Sequence, residues 1–219
     1  MTAISLDKKT EKRIQQLQPY VRPSRRERFP FITERTALLV IDMQGYFLDP
    51  SSHASFPEAE EIMGNVISLV DSFRFSHRPI IFTWHAVRSD EDPGIMGGWW
   101  GDVPADKDPL SHIDDRLQPE KDGAIVRKTR YSAFIGTELE GILRGLRADK
   151  VVITGVMTHL CCESTARDAF MRDLEVFFVM DATATDHEDL HMGSLRALAD
   201  GFTIVVTTEE VLSWMEGRQ

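Results

Sequence analysis

The stretch KVVITGVMTHLCCESTARDA (residues 150–169) shows how the rest of the chain is organised. Residues 151–154 form a β-branched apolar run of strand length, which Gly155 interrupts. From about Thr158 the spacing of the residues becomes that of a helix, and Thr158 is its predicted N-cap. The stretch therefore predicts a buried strand, a tight turn and a helix that carries Cys161 in its first turn.

Cys161 is a candidate nucleophile because of this position. A thiol in the first turn lies at the positive end of the helix dipole, beside backbone N–H groups that have no intrahelical partner. Both features favour the thiolate, which is the nucleophilic form, and the N–H groups can also stabilise an oxyanion. A small buried cysteine is equally common at a strand–helix junction, so this stretch alone leaves both interpretations open.

The composition excludes several classes of protein. A chain of 219 residues with 42% hydrophobic residues is typical of a globular protein with one large domain or two small ones. A net charge of −10 argues against nucleic acid or an anionic membrane as a partner. Two adjacent cysteines do not form a disulfide framework, and residues 1–28 contain no apolar core of a secretory signal. We therefore expect a cytoplasmic protein with no membrane partner.

Strand-like and helix-like segments alternate along the rest of the chain. Apolar runs that predict strands lie at residues 36–41, 80–84, 123–128, 151–154, 175–180 and 203–206. Such alternation predicts one α/β domain over residues 36–219, a three-layer α/β/α Rossmann-like fold with a mostly parallel six-stranded sheet and helices on both faces. Residues 1–35 are interpreted as an N-terminal arm, in which Pro19, Pro23 and Pro30 predict an extended segment, and residues 86–122 as an insert that covers the substrate. The last helix is predicted over residues 208–214, with Thr208 as its N-cap.

Three residues with useful chemistry follow predicted strands. Asp42 follows the first strand, Lys128 ends the third and Cys161 follows the fourth, so all three project from the carboxyl edge of a parallel sheet. Asp42 can take the proton of the thiol and later give it to a leaving nitrogen, while Lys128 stabilises the thiolate. The alternative for Asp42 is a cap of the following turn.

Metal and cofactor motifs are missing from the sequence. His85, Asp90 and Glu91 are near one another, but there is no HxH, HExxH or CxxC pattern. His187 and His191 share a predicted helix face without a third ligand. The turn after the fourth strand lacks the glycine pattern of a dinucleotide site. We therefore expect neither a metal nor a cofactor.

Five motifs, in this order, resemble the isochorismatase-like family of cysteine hydrolases, which includes isochorismatases, N-carbamoylsarcosine amidases and nicotinamidases. They are LLVIDMQGYF (38–47), VRKTRYSAF (126–134), GVMTHLCCESTARDAF (155–170), FFVMDATATD (177–186) and VVTTEEVL (205–212). The resemblance implies that Asp42, Lys128 and Cys161 are a catalytic triad. It also implies a cis peptide between Val156 and Met157, which directs backbone N–H groups, including that of Cys161, at the oxyanion.

The same resemblance is compatible with two different reactions. The segments KTRYSAF and DAFMRD are closest to isochorismatases, which cleave a vinyl ether with the aspartate as proton donor. Those enzymes typically have Gly where this chain has Cys161 and Gln where it has His85. Both departures favour thiol chemistry on an amide, a ureide or a similar carbonyl compound. Nicotinamidases of the family bind a metal through an Asp and two His in the first insert, and because that set is not found here, nicotinamide is disfavoured.

The sequence thus predicts a metal-independent hydrolase that cleaves an amide or ureido C–N bond of a small molecule through a thioester on Cys161. His85, Arg88, Trp100 and Tyr131 are the predicted substrate contacts. The resemblance further implies a homo-oligomer, a dimer or larger. Two alternatives stay open: an isochorismatase in which Asp42 is the acid and Cys161 a bystander, and a non-catalytic α/β module that acts through its interface.

Overall fold

The computed structural model describes residues 7–119 and 123–218, so residues 1–6 of the predicted arm, residues 120–122 of the insert and residue 219 lie outside it. Six strands of the described residues form one sheet, in which every neighbouring pair is parallel and the order is β3-β2-β1-β4-β5-β6. The prediction of a six-stranded parallel sheet is confirmed. The strands are β1 Thr36–Ile41, β2 Ile80–His85, β3 Ala124–Lys128, β4 Lys150–Val156, β5 Glu175–Ala184 and β6 Ile204–Val206.

Helices lie on both faces of the sheet, which confirms the predicted three-layer architecture. Core residues of one face come mostly from α5 and α10, with one each from α3 and α4, and those of the other face mostly from α7, α8 and α9, with one from α1. The helices of the described residues are α1 Lys8–Leu17, α2 Pro23–Arg28, α3 Gly45–Leu48, α4 Pro57–Glu61, α5 Met63–Phe75, α6 Ile95–Trp100, α7 Leu139–Gly145, α8 Glu163–Phe170, α9 Glu188–Gly201 and α10 Thr208–Met215.

Strand β1 shows why the sequence of a central strand is continuously apolar. Leu38 and Val40 belong to one core cluster, whereas Ala37, Leu39 and Ile41 belong to the other. All five side chains are buried because both faces of the strand are covered by helices. The strand therefore ends in the interior of the molecule, and Asp42 comes directly after it.

Three local predictions are wrong. Strand β4 does not stop at Gly155 but continues through it to Val156, and β5 extends beyond Asp181 to Ala184. The N-cap of α10 is Thr207 rather than Thr208, because Thr207 forms a capping box with Glu210. Thr208 instead donates its backbone N–H and its hydroxyl to the Asp181 carboxylate, at 2.7 and 2.9 Å.

The N-terminal arm lies against α9. Arg13 of α1 binds the Glu188 carboxylate through two hydrogen bonds of 3.0 and 2.6 Å. The Arg25 guanidinium of α2 donates to the carbonyl oxygen of Ala199 at 2.8 Å. Residues 23–28 are helical, although prolines in this part of the chain predicted an extended segment. Among the described residues, no helix is long and apolar enough to cross a membrane.

Gly155 allows the ends of β1 and β4 to come together. It is paired with Ile41 across the two strands and has a φ of +111°, which side chains rarely adopt. A Cβ atom at this position would lie 2.8 Å from the carbonyl carbon of Ile41 and would overlap its oxygen. The absence of a side chain therefore sets the spacing between the strands that carry Asp42 and Cys161.

We predict that Gly155→Ala destabilises the fold by roughly 3 kcal/mol or more, because a strained φ and an overlap with backbone add together. Gly193→Ala is the matched control. Gly193 lies within α9, and its Cβ would meet nothing within 4 Å. That variant should be neutral or more stable by up to about 1 kcal/mol. Urea unfolding of both variants measures this, and equal midpoints would contradict the prediction.

Candidate active site

Lys128, Asp42 and Cys161 meet at the carboxyl edge of the sheet, as the sequence predicts. The Lys128 Nζ atom lies 2.7 Å from Asp42 Oδ2 and 3.2 Å from Cys161 Sγ. It also donates to the carbonyl oxygen of Arg130 at 3.0 Å. Strands β1 and β4 are adjacent at the point where the strand order reverses, and the long lysine side chain reaches there from β3.

The Asp42 carboxylate is held from the side of β2. The Thr83 hydroxyl donates to Asp42 Oδ1 at 2.7 Å. The backbone N–H of Asp42 donates to the carbonyl oxygen and to the hydroxyl of Thr83, both at 3.2 Å. Asp42 has a φ of +50°, an uncommon conformation for a residue with a side chain. The chain therefore turns sharply at the end of β1 and keeps the carboxylate inside.

Cys161 lies in a π-helical turn rather than in the first turn of an α-helix. Residues Thr158–Cys162 form this turn, and α8 begins at Glu163. Thr158 is not the N-cap, because its hydroxyl is hydrogen-bonded to His191 Nδ1 at 2.9 Å and Met157 precedes the turn. The peptide bond between Val156 and Met157 is cis, at the position that the family resemblance implies.

Burial dominates the electrostatics of the thiol. Burial raises the pKa of Cys161 to about 12, although Lys128 acts to lower it, while Asp42 raises it further. Burial also opposes the charge on Lys128, but Asp42 and the cysteine outweigh this and the pKa of Lys128 rises. Burial therefore acts against the thiolate that the position of Cys161 was expected to favour, and Lys128 offsets burial only in part.

Cys161 lies in the wall of a cavity of about 400 Å³. Three of the four predicted substrate contacts, His85, Trp100 and Tyr131, line it as well. The Trp100 indole N–H donates to the Tyr131 hydroxyl at 2.8 Å. The fourth predicted contact is not in the cavity wall. Arg88 is exposed, and its backbone N–H binds the Glu91 carboxylate at 2.9 Å.

Arg88 is displaced because the chain turns away after β2. The backbone of Val87 pairs with the segment at residues 104–106, with hydrogen bonds of 2.9 Å to Pro104 and 3.0 Å from Asp106. This pairing carries residue 88 to the surface. The position of a side chain three residues past a strand depends on such a distant pairing, which spacing along the sequence does not indicate.

Several polar residues of the cavity wall were not predicted. His159 and Asp186 line it, and the Thr185 hydroxyl is hydrogen-bonded to His159 Nδ1 at 2.8 Å. At the rim, His53 Nε2 lies 2.9 Å from Asp102 Oδ2 and joins two loops. His159 could have been predicted as a wall residue, because it lies two residues before Cys161 in the sequence. The contact between His53 and Asp102 could not, because nothing in the sequence indicates that their two loops meet.

The described part of the cavity wall is poor in positive charge. Burial, followed by Lys128, lowers the pKa of His85 to about 4, so its imidazole is neutral near pH 7. Its backbone N–H and carbonyl oxygen bind the buried Gln44 amide at 2.7 and 3.1 Å. Among the described residues of the cavity wall none is Lys or Arg, and two are acids, Asp102 and Asp186.

The side chains present do not fit the metal site that nicotinamidases of this fold carry. In the part of the chain that the structure describes, no group of three or more His, Cys, Asp or Glu side chains is arranged to hold a metal ion. His53 and Asp102 are close enough to bind one metal ion together, but they provide only two ligands.

The sequence matches the family model of the isochorismatase domain over residues 36–210. Nicotinamidase 3 of Arabidopsis thaliana is 40% identical over 178 residues, 80% of this chain and 86% of that protein. The crystal structure of a cysteine hydrolase from Pseudomonas syringae pv. phaseolicola has a TM-score of 0.83 and 30% identity, over 92% of this chain and 99% of that one. That of N-carbamoylsarcosine amidase from Thermoplasma acidophilum has a TM-score of 0.70 and 29% identity, over 80% and 96%.

We predict that Lys128→Met and Asp42→Asn move the pKa of Cys161 in opposite directions. Removal of the ammonium takes away the group that lowers this pKa, so it rises further. Removal of the carboxylate charge takes away a group that raises it, so it falls. The pH dependence of iodoacetamide alkylation at Cys161, followed by mass spectrometry over the alkaline range, measures both shifts.

Lys150→Met is the matched control for the loss of a buried lysine. Lys150 is buried at the start of β4 and paired with Glu175, at the opposite edge of the sheet from Cys161. Its loss should lower the melting temperature, as loss of Lys128 does, because each leaves a carboxylate unpaired. It should not move the titration of Cys161. If neither Lys128→Met nor Asp42→Asn moves that titration, the three groups do not interact.

Proposed function

The chain belongs to the isochorismatase-like family of hydrolases, and we propose that this member is a cysteine hydrolase that cleaves the C–N bond of a small uncharged amide or ureide. The observation that carries the proposal is the position of Lys128 Nζ, 2.7 Å from Asp42 and 3.2 Å from Cys161, in a site whose thiol lines a cavity. A nucleophile, a proton acceptor and a fixed positive charge are thereby available to one carbonyl carbon.

In the first half of the proposed reaction the Cys161 sulfur attacks the carbonyl carbon. With a pKa of about 12 almost no free thiolate exists near pH 7, so the thiol proton passes to Asp42 as the C–S bond forms. The carbonyl oxygen becomes an oxyanion, for which the backbone N–H groups of Met157 and Cys161 are the proposed donors. Lys128 stabilises the negative charge that develops on the sulfur.

The second half releases the acid and restores the thiol. Asp42 gives its proton to the leaving nitrogen, the C–N bond breaks, and a thioester remains on Cys161 while ammonia or an amine departs. Water then attacks the thioester carbon and loses a proton to Asp42. The C–S bond breaks, the carboxylic acid is released, and the sulfur regains its proton from Asp42. Lys128 keeps its proton throughout, which agrees with its raised pKa.

The wall of the cavity supports an uncharged, aromatic or otherwise planar substrate. Its large side chains include Tyr46, Phe47, Phe56, Trp100 and Tyr131, which can pack against a flat ring. Isochorismate carries two carboxylates, and no Lys or Arg among the described wall residues would neutralise them. Because a relative 40% identical is named nicotinamidase, nicotinamide belongs among the test substrates despite the unsuitable metal ligands.

The test compares wild-type protein, Cys161→Ala and Cys162→Ala on aromatic carboxamides, small ureides and isochorismate. We expect C–N hydrolysis by the wild type and a loss of about a thousandfold or more in Cys161→Ala, because the covalent route is gone. Cys162→Ala should keep activity within a few-fold, since Cys162 is fully buried in the apolar core and does not line the cavity. Release of ammonia or amine is measured.

The outcome also separates the alternatives. Hydrolysis of isochorismate that survives Cys161→Ala would show vinyl-ether chemistry with Asp42 as the acid. Loss of activity in Cys162→Ala with retention in Cys161→Ala would exclude the proposed nucleophile. A wild type that turns over nothing, and whose Cys161 reacts with iodoacetamide no faster than Cys162, would indicate the non-catalytic module.

We further propose that the protein is a cytoplasmic homo-oligomer. Large apolar side chains on the surface support the formation of an oligomer: Phe75, Ile95 and Trp99 are 89%, 75% and 74% exposed. We expect light scattering at micromolar concentration to give the mass of a dimer or a larger assembly. The mass of a single chain, 24.9 kDa, would contradict that expectation.

A further inference from the structure

We propose that Thr83 is a positioning residue that fixes the Asp42 carboxylate for proton transfer and leaves Oδ2 as the oxygen that carries the proton. The inference rests on the proposed function only in taking Asp42 as the group that moves protons. Thr83 belongs to none of the motifs found in the sequence. Only the contacts between β2 and the end of β1 point to its role.

Thr83 holds Asp42 at two places with one hydroxyl group. Its oxygen accepts the backbone N–H of Asp42 at 3.2 Å, and its hydrogen is donated to Oδ1 at 2.7 Å. Both residues are 0% exposed, so water does not compete for these bonds. A hydroxyl has a single hydrogen, and here it is used on the carboxylate. Thr83 therefore cannot supply a proton to a substrate, and its effect passes through Asp42.

The two oxygens of Asp42 have different surroundings as a result. Oδ1 already accepts the Thr83 hydroxyl. Oδ2 is buried beside Lys128 Nζ but has no aligned hydrogen bond within the described residues. A carboxylate oxygen can accept more than one hydrogen, so Oδ2 can take a proton beside its contact with Lys128, which holds this oxygen and Cys161 Sγ around one nitrogen. The thiol proton accordingly passes to Oδ2.

The residue type and the strand together determine the geometry. Thr83 is β-branched, so its χ1 rotamers are few, and it follows Phe82, which is paired with Val40 of β1. The hydroxyl is thereby directed at the point where β1 ends and Asp42 turns. Without it, the carboxylate would lose its hydrogen bond to β2 and could rotate about its terminal torsion, for which broad distributions are usual.

The experiment compares Thr83→Val, Thr83→Ser and Thr36→Val. Valine keeps the shape and loses the hydroxyl, and serine keeps the hydroxyl. Thr36 is the control, because it is also buried, on β1, and its hydroxyl donates at 2.7 Å to the carbonyl oxygen of Ile32, away from the site. We expect kcat to fall about 10- to 100-fold in Thr83→Val with KM within about threefold, because a misplaced proton carrier affects the chemical step. Thr83→Ser should recover most of the kcat, and Thr36→Val should lose none.

Crystal structures of the variants give a readout that needs no substrate. The Asp42 carboxylate should be rotated, or should occupy more than one orientation, in Thr83→Val and keep its place in Thr83→Ser. An unmoved carboxylate or an unchanged kcat in Thr83→Val overturns the proposal, and so does a Thr83→Ser variant as slow as Thr83→Val.

Failure of the Thr83 proposal can be distinguished from failure of the proposed function. If the wild type does not hydrolyse C–N bonds, the hydrolase reaction is rejected. The orientation of the Asp42 carboxylate in the variants still tests the role of Thr83. If another substrate is turned over, its kcat tests that role as well. If Thr83→Val does not fold, Thr83→Ala replaces it, since alanine also lacks the hydroxyl and places no methyl group against the carboxylate.

Discussion

The rest of the site depends on one buried ammonium group. The side chains of Lys128 and Asp42 are both 0% exposed, and a charge removed from water costs several kcal/mol unless it is paired and its hydrogens are bonded. The ammonium of Lys128 is paired with Asp42 and donates hydrogen bonds to Cys161 Sγ and to the carbonyl oxygen of Arg130. Each neighbour comes from a different segment, so the requirement to satisfy this group fixes the ends of β1 and β3 and the turn after β4 relative to one another.

The same burial controls the reactivity of the thiol. An ammonium at 3.2 Å would by itself favour a thiolate, but loss of water around Cys161 has the larger effect, and its pKa is about 12 instead of the ordinary value of about 8.5. The resting site therefore contains one net ion pair and a neutral thiol. In the proposed reaction, charge on sulfur develops only as a carbonyl carbon receives the electron pair, so the proton acceptor must already be in place. This makes the orientation of Asp42 more important than a permanently ionised cysteine would.

The sequence predicted the centre of the site better than its walls. The positions of Asp42, Lys128 and Cys161 followed from apolar runs, because the ends of parallel strands meet at one edge whatever the loops do. The capping box at Thr207 is local, and the Thr-x-x-Glu spacing of residues 207 and 210 could have indicated it. By contrast, the continuation of β4 through Gly155 and the π-helical turn, whose Thr158 is bonded to His191, depend on contacts between distant residues. Arg88 was misplaced for the same reason: one pairing of Val87 with the insert moves the chain to the surface.

Separate construction of the centre and the walls explains how one fold serves several substrates. Asp42 and Lys128 are attached to strand ends and Cys161 to the turn after β4, so they cannot shift without disturbing the sheet. Most of the cavity wall comes instead from the segments that connect the strands, at residues 46–56, 96–104 and 186–190, which include parts of α3, α6 and α9. Residues of these connecting segments can change without disturbing the ion pair, so charge and shape of the cavity vary independently of Cys161. In this chain the wall is aromatic and holds acids but no Lys or Arg among its described residues. An anionic substrate would lose its hydration in such a cavity and gain no partner charge from the wall. An uncharged planar amide would lose much less hydration free energy. Under the proposed function, these connecting segments, rather than the three central residues, therefore determine which carbonyl compound reaches Cys161.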